Sequence, residues 1–194
     1  MNSLRVSDVH IHIQPWRELK PAAAVVMKRG KEDHFDFLME VMDNPKLLLQ
    51  LMDEQRIQRV GLVNYPSPDL MGFTDYTNEF AVKYAEANPQ RLMPYGGVHP
   101  VYSRDPVRDV EHLVEMGTRV LKIHPPHQKV AANAYTDGLD SLGAIYKTCG
   151  RAGLPVMIHT GTSIFAGARG KYGNPMEIGD VAIGAGETVD ESAA

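Results

Sequence analysis

Five short β-branched or apolar runs, each followed by a longer stretch of helical period, set the strongest limit on the fold of this chain. They occupy residues 6–13 (VSDVHIHI), 60–65 (VGLVNY), 92–98 (LMPYGGV), 120–124 (VLKIH) and 155–160 (PVMIHT). From the second run onward they begin roughly 30 residues apart, about the length of one βα unit. Parallel strands need a crossover of a dozen residues or more, so the alternation predicts a parallel sheet covered by helices. Pro94 and two glycines make the third run the poorest strand of the five.

The intervening helices are legible from their apolar spacing. Val107, Val110, Leu113 and Val114 share one face, as do Leu139, Leu142, Ile145, Tyr146 and Cys149. Asp105-Pro106 and Thr136-Asp137 supply helix starts, and Gly117 and Gly150 supply stops. One insertion breaks the rhythm. Residues 14–44, with Pro15, Trp16 and Pro21, lie between the first strand and its helix, and are expected to cover or shape a site. The expected fold class is therefore α/β, an incomplete (β/α)8 TIM barrel of about five to six βα units, since a full barrel takes about 250 residues. Residues 1–183 form the partial barrel, with a helix near 176–183, and the small, acidic stretch 184–194 (GAGETVDESAA) reads as a disordered tail.

Charge narrows the partners. A net charge of -4, mixed in sign along the chain, offers no basic stripe for nucleic acid or an anionic membrane. No apolar run approaches the roughly 18 residues of a membrane span, and the N-terminus lacks a signal pattern. The single cysteine, Cys149, sits on an apolar helical stripe and reads as a core residue. These features fit a cytoplasmic protein that acts on a small molecule and can form a homo-oligomer.

The chemistry gathers on the strands. Alternation puts Asp8, His10 and His12 on one face of the first strand and Val9, Ile11 and Ile13 on the other. Polar groups on a buried strand are costly unless paired or ligating, and two imidazoles two residues apart can share one ion. His159 ends the fifth strand, where parallel barrels collect their catalytic groups, and is expected as a third metal ligand. In the fourth strand, Val120, Lys122 and His124 share a face that becomes the barrel interior if His124 looks toward the site. A buried lysine must be neutral, paired or modified. A plain ion-paired Lys122 is expected, with carbamylation to bridge two ions as the rival. His124 is a candidate substrate contact, evenly weighed against a structural role, and His99 (GGVHP) stands in an equivalent position. His34, His112 and His127 are expected to be solvated. The glycine-rich loop 161–175 (GTSIFAGARGKYGNP) either closes over an acidic or carbonyl-bearing substrate with Arg169 as its anion contact or, weighed equally, leaves Arg169 and Lys171 solvated.

The combination DVHIHIQP, GGVHP, LKIHPPHQ and PVMIHTGTS closely resembles the amidohydrolase superfamily, in the branch that includes aminocarboxymuconate semialdehyde decarboxylase. The resemblance implies a (β/α)8 barrel holding a divalent metal, commonly zinc, through His10, His12 and His159. It also implies hydrolysis of amide, ester or ring carbon–nitrogen bonds by a metal-activated water, or decarboxylation of small unsaturated acids. The family's histidine after strand six and catalytic aspartate after strand eight have no counterpart before residue 194, so the catalytic acid is unassigned and the chain reads as C-terminally truncated. Two rivals stand beside the hydrolase: an inactive fragment or interaction protein, and a phosphoesterase that also opens with His-x-His but for which no later acidic and histidine pairs are visible.

Overall fold

The computed structural model describes residues 6–186. Five strands, β1 (Val6–Ile11), β2 (Ile57–Leu62), β3 (Leu92–Gly96), β4 (Val120–Ile123) and β5 (Val156–Ile158), lie in the order β1-β2-β3-β4-β5, and each pairs with its neighbour in parallel. The alternation of strand and helix thus gives the expected α/β half-barrel. Among the described residues there is no sixth strand.

The helices are α1 (Pro21–Lys28), α2 (Phe35–Asp43), α3 (Pro45–Glu54), α4 (Tyr76–Ala85), α5 (Pro106–Glu115), α6 (Pro125–Gln128), α7 (Asp140–Ala152) and α8 (Glu177–Gly186). α5 starts as predicted, because the Asp105 carboxylate accepts the Arg108 N–H at 3.0 Å and Pro106 needs no donor. Gly117 ends that segment at φ +86°. α7 differs from expectation at both ends. Residues Ala134–Asp137 form a separate 3-10 turn, and the helix runs through Gly150 to stop at Gly153, which takes the left-handed conformation at φ 64°. α8 reaches Gly186, three residues into the stretch expected to be disordered, and residues 187–194 lie outside the described residues.

Side-chain parity sorts the sheet into two faces. Val60, Leu62 and Leu92 join one apolar core outside the sheet, and Leu121, Ile123, Val110, Leu113, Leu142, Ile145 and Cys149 join another. The opposite parity, Val63, Tyr65, Met93, Tyr95, Val120 and Met157, packs as a third cluster in the barrel interior. Cys149 is therefore a core residue as expected, and burial pushes its thiol up to about 12, away from nucleophilic use. Pro94 is accommodated in β3 because its carbonyl still accepts the Arg119 N–H at 2.8 Å.

The insertion after β1 is largely helical rather than an open loop. It folds into α1 and α2, and its Trp16, Ala23, Val41 and Met42 are buried in the first outer core, with Trp16 stacked on Phe35 at 5.8 Å. Apolar periodicity inside residues 21–43 won over the turn signals that suggested a loop.

Candidate functional site

The parallel sheet brings the ends of its strands to one edge, where catalytic groups of such barrels collect. His12 follows β1, Tyr65 follows β2, His124 follows β4 and His159 follows β5. Their rings form a chain of contacts, with His12 to Tyr65 at 6.5 Å, Tyr65 to His124 at 4.8 Å and His124 to His159 at 3.9 Å between centroids.

On β1, the register slips between Asp8 and Ile11, so Val9 and His10 of β1 face the single residue Gly61 of β2. Asp8 therefore does not join a row of three ligands. Its carboxylate turns back to accept the His10 backbone N–H at 2.9 Å. The two imidazoles remain together, with Nε2 of His10 and Nε2 of His12 at 3.2 Å. Burial is the first cause that lowers both rings, followed by Lys122 and His159 at His10 and by His10 itself at His12, which falls to about 4. Both are neutral at pH 7, the form that ligates a metal.

The pair passes a geometric test for an ion. Two nitrogens on one tetrahedral zinc, each at roughly 2.0–2.1 Å, lie about 3.3 Å apart, close to the separation observed. The full set is not assembled, since no group of three His, Cys, Asp or Glu among the described residues converges as a cage. His159 donates its Nε2–H to the Thr162 carbonyl at 3.3 Å if that nitrogen carries the proton, which leaves Nδ1 as its acceptor. Burial leads the lowering of its pKa, with Lys122 adding to it against the opposing Thr162 bond.

Lys122 faces the interior as predicted but is not ion-paired. It is 1% exposed, and no carboxylate among the described residues pairs with it. Desolvation pushes its amine down to about 8. The pairing expected from sequence fails because no acid among the described residues reaches the amine, and Asp8 is turned to the His10 backbone instead. His124 is also buried. Its N–H is held by the Gln128 side-chain oxygen at 2.9 Å, and its ring Nδ1 is buried without a hydrogen-bond partner. A buried polar atom left in this state is costly and is a natural contact for a ligand.

His127, expected to be solvated, is 4% exposed and stacks on His124 at 3.6 Å. Its Nδ1 meets the Tyr65 hydroxyl at 2.9 Å and its Nε2 meets Ser163 Oγ at 2.7 Å. A sequence signal for it existed: the two prolines of HPPH start a helical turn, and residues three apart on a turn share a face. Tyr65 and Ser163 carried no such signal. His34 and His112 are exposed as expected. His99 is buried and lowered to about 4, by burial first, but it stacks on Tyr102 at 4.3 Å rather than on the other histidines. Arg169 is exposed and lines a shallow concavity with Lys129, Lys171 and Tyr172.

Comparison with known proteins agrees with this architecture. A TIM-barrel protein of uncharacterised function from Bordetella bronchiseptica aligns with 92% of the chain at 17% identity and a TM-score of 0.65. The 5-carboxyvanillate decarboxylase LigW from Sphingomonas paucimobilis aligns with 94% of it at 16% identity and a TM-score of 0.53. Both likenesses are of fold, and the chain spans 62% of the length of each. Curated proteins gave no match. The model of the amidohydrolase family matches residues 7–183, which carry the five strands apart from Val6 and every histidine described above, and the chain belongs to that family.

Proposed function

We propose that His10, His12 and His159 hold one divalent cation, zinc above all, and that the centre they build hydrolyses a small acidic or carbonyl-bearing substrate. Amidohydrolases usually employ a divalent metal, and an all-imidazole set suits zinc. The observation that carries the reading is the opposed Nε2 pair of His10 and His12, 3.2 Å apart at the end of a parallel strand.

When bound, the ion supplies Lewis acidity and a water of lowered pKa. The chain's own residues do the rest. Asp8 fixes the backbone of His10 and so the direction of its ring. The buried Nδ1 of His124 is a hydrogen-bonding group for a substrate oxygen or N–H. Lys122 stands in the interior with no carboxylate to neutralise it, and an acidic substrate would satisfy it. Arg169, on the loop after β5, is the proposed outer contact for an anionic group.

Decarboxylation is the second reading. The unpaired Lys122 favours it, because a buried amine near the ligands can hold a substrate carboxylate, and the fold likeness to a carboxyvanillate decarboxylase agrees by analogy. The test begins with zinc binding by calorimetry and elemental analysis of the purified chain. His12→Ala should weaken zinc by at least about 100-fold, since losing a residue that only orients a ligand already costs about 10–100-fold. Wild-type protein that takes up no divalent metal, or a His12→Ala variant that binds as well as wild type, would sink the reading. Released carbon dioxide rather than a new carboxyl or amine on a substrate panel would select the second reading.

A further inference from the structure

Residues 161–173 form a loop whose ends are pinned together. The Gly161 N–H donates to the Gly173 carbonyl at 2.7 Å. A Cβ on Gly173 would collide with the Gly161 carbonyl oxygen, so only glycine permits that closure. Further along, the Arg169 N–H donates to the Pro126 carbonyl at 2.9 Å, which ties the loop to α6. The loop is thus held at several points, although its composition alone suggests free movement.

At the centre of this attachment stands His127, buried between the sheet and the loop. The phenol of Tyr65 is 2% exposed, and burial raises its pKa, so it stays protonated. His127 Nδ1 is the only acceptor bonded to that hydroxyl among the described residues. A phenol that donates to Nδ1 leaves the proton of the neutral ring on Nε2, which must then donate to Ser163 Oγ. Ser163 Oγ also accepts the Phe165 N–H at 3.3 Å, and the Phe165 ring meets His127 edge-on at 5.4 Å. The polarity of the whole relay, Tyr65 to His127 to Ser163, therefore follows from one buried hydroxyl.

We propose that His127 is a positioning residue that latches the 161–173 loop onto the barrel and, through its stack on His124, sets the plane of His159. The stack makes the second role concrete: His127, His124 and His159 lie nearly parallel, at 3.6 Å with 20° between planes and at 3.9 Å with 12°. A ring fixed by hydrogen bonds at both nitrogens cannot turn, and neighbours packed face to face on it lose the same freedom. The latch itself does not depend on the metal reading. Only the statement about His159 as a ligand rests on it.

The loop carries its own reporter, since Arg169 and Lys171 are exposed and present trypsin sites within the latched segment. Ser163→Ala removes the loop side of the relay. Tyr65→Phe removes the inner side and keeps the ring. Both should raise the cleavage rate after Arg169 and Lys171 by roughly three- to tenfold, the factor one neutral hydrogen bond carries, with cleavage after Lys28 and Arg29 unchanged. The imidazole nitrogen spectrum of His127 should show the Nε2–H form in wild type and in Ser163→Ala, and a mixture of the two forms in Tyr65→Phe. Loop cleavage that stays at the wild-type rate in both variants overturns the latch. A rise shared by every cleavage site in the chain overturns it too, because it marks general loosening. A wild-type His127 found in the Nδ1–H form overturns the relay. Zinc affinity is the separate arm: it should fall about tenfold in Tyr65→Phe. Wild-type protein that binds no zinc refutes the metal reading while the protease and spectroscopic arms still decide the latch.

Discussion

His10 stands on β1, an edge strand whose Val6 and Val9 are 49% and 55% exposed, and His12 just after it, whereas His124 and His127 lie 5% and 4% exposed between β4, β5 and a pinned loop. In the first pair the two rings meet each other, His12 also meets the Tyr65 ring at 6.5 Å, and His10 has a backbone bond to Asp8. The second pair is stacked, bonded through ring or backbone, and walled on the far side of the sheet by Leu121, Ile123 and Leu142. Chemically identical side chains at the same edge of one sheet are thus committed in different degrees. His127, bonded at both ring nitrogens, acts as framework, whereas the facing Nε2 atoms of His10 and His12 and the unpartnered Nδ1 of His124 can still turn to a ligand.

That contrast can be attacked from its buried end. Ile123→Ala should destabilise the protein by about 3 kcal/mol or more, because it opens a cavity behind the histidine stack that the helices cannot collapse into. Urea titration measures this, and a loss under about 1 kcal/mol would show that the stack is not supported by its wall.

Acid should discriminate next. His99 and His127 are held at about 4 and about 3 in the fold, below their ordinary value of 6.5. Groups with a depressed folded pKa take up protons on unfolding, so their stability is present above pH 6.5 and is lost as pH falls toward 4. At pH 5.5 each costs about 1.4 kcal/mol, or about 3 kcal/mol together. His127→Phe should remove its share of this slope while lowering stability at pH 7. A slope that is identical in wild type and variant would mean that His127 is already charged in the fold.

The edge should respond in the opposite sense. His12→Ala should leave the stability of metal-free protein within about 1 kcal/mol while abolishing most of the added stability that zinc confers by mass action. Melting with and without zinc reads both. Smallest of all, Val9→Thr should change stability by no more than about 0.5 kcal/mol, as expected of an exposed position away from caps and cores. A larger loss would indicate that β1 is covered in solution.

Much of the fold was legible because it depends on period. Strand-like runs and helical stripes reflect which side of an element is buried, and that information is local. The reading was least complete where two local signals competed: residues 14–44 carry turn formers and also an apolar stripe, and packing against Val60 and Leu92 decided for helices. At the site, the positions of His10, His12 and His159 at the strand ends were readable because strand parity and strand ends are sequence properties, while their role as ligands is the proposal made above. His127 was misjudged because its burial is imposed by a loop 36 residues away, through Ser163.

By itself, then, the sequence determined the order of the βα units, the interior parity that turns Lys122 and the strand-end histidines inward, and the residues matched by the amidohydrolase family. Only the tertiary structure decided which imidazoles are consumed by partners and which keep a free lone pair, and whether Lys122 meets a counter-charge. Both questions are settled by distances between strands and loops remote in the chain. Hydrogen bonds and ion pairs form across a few ångströms of space, and no periodicity along the backbone records them.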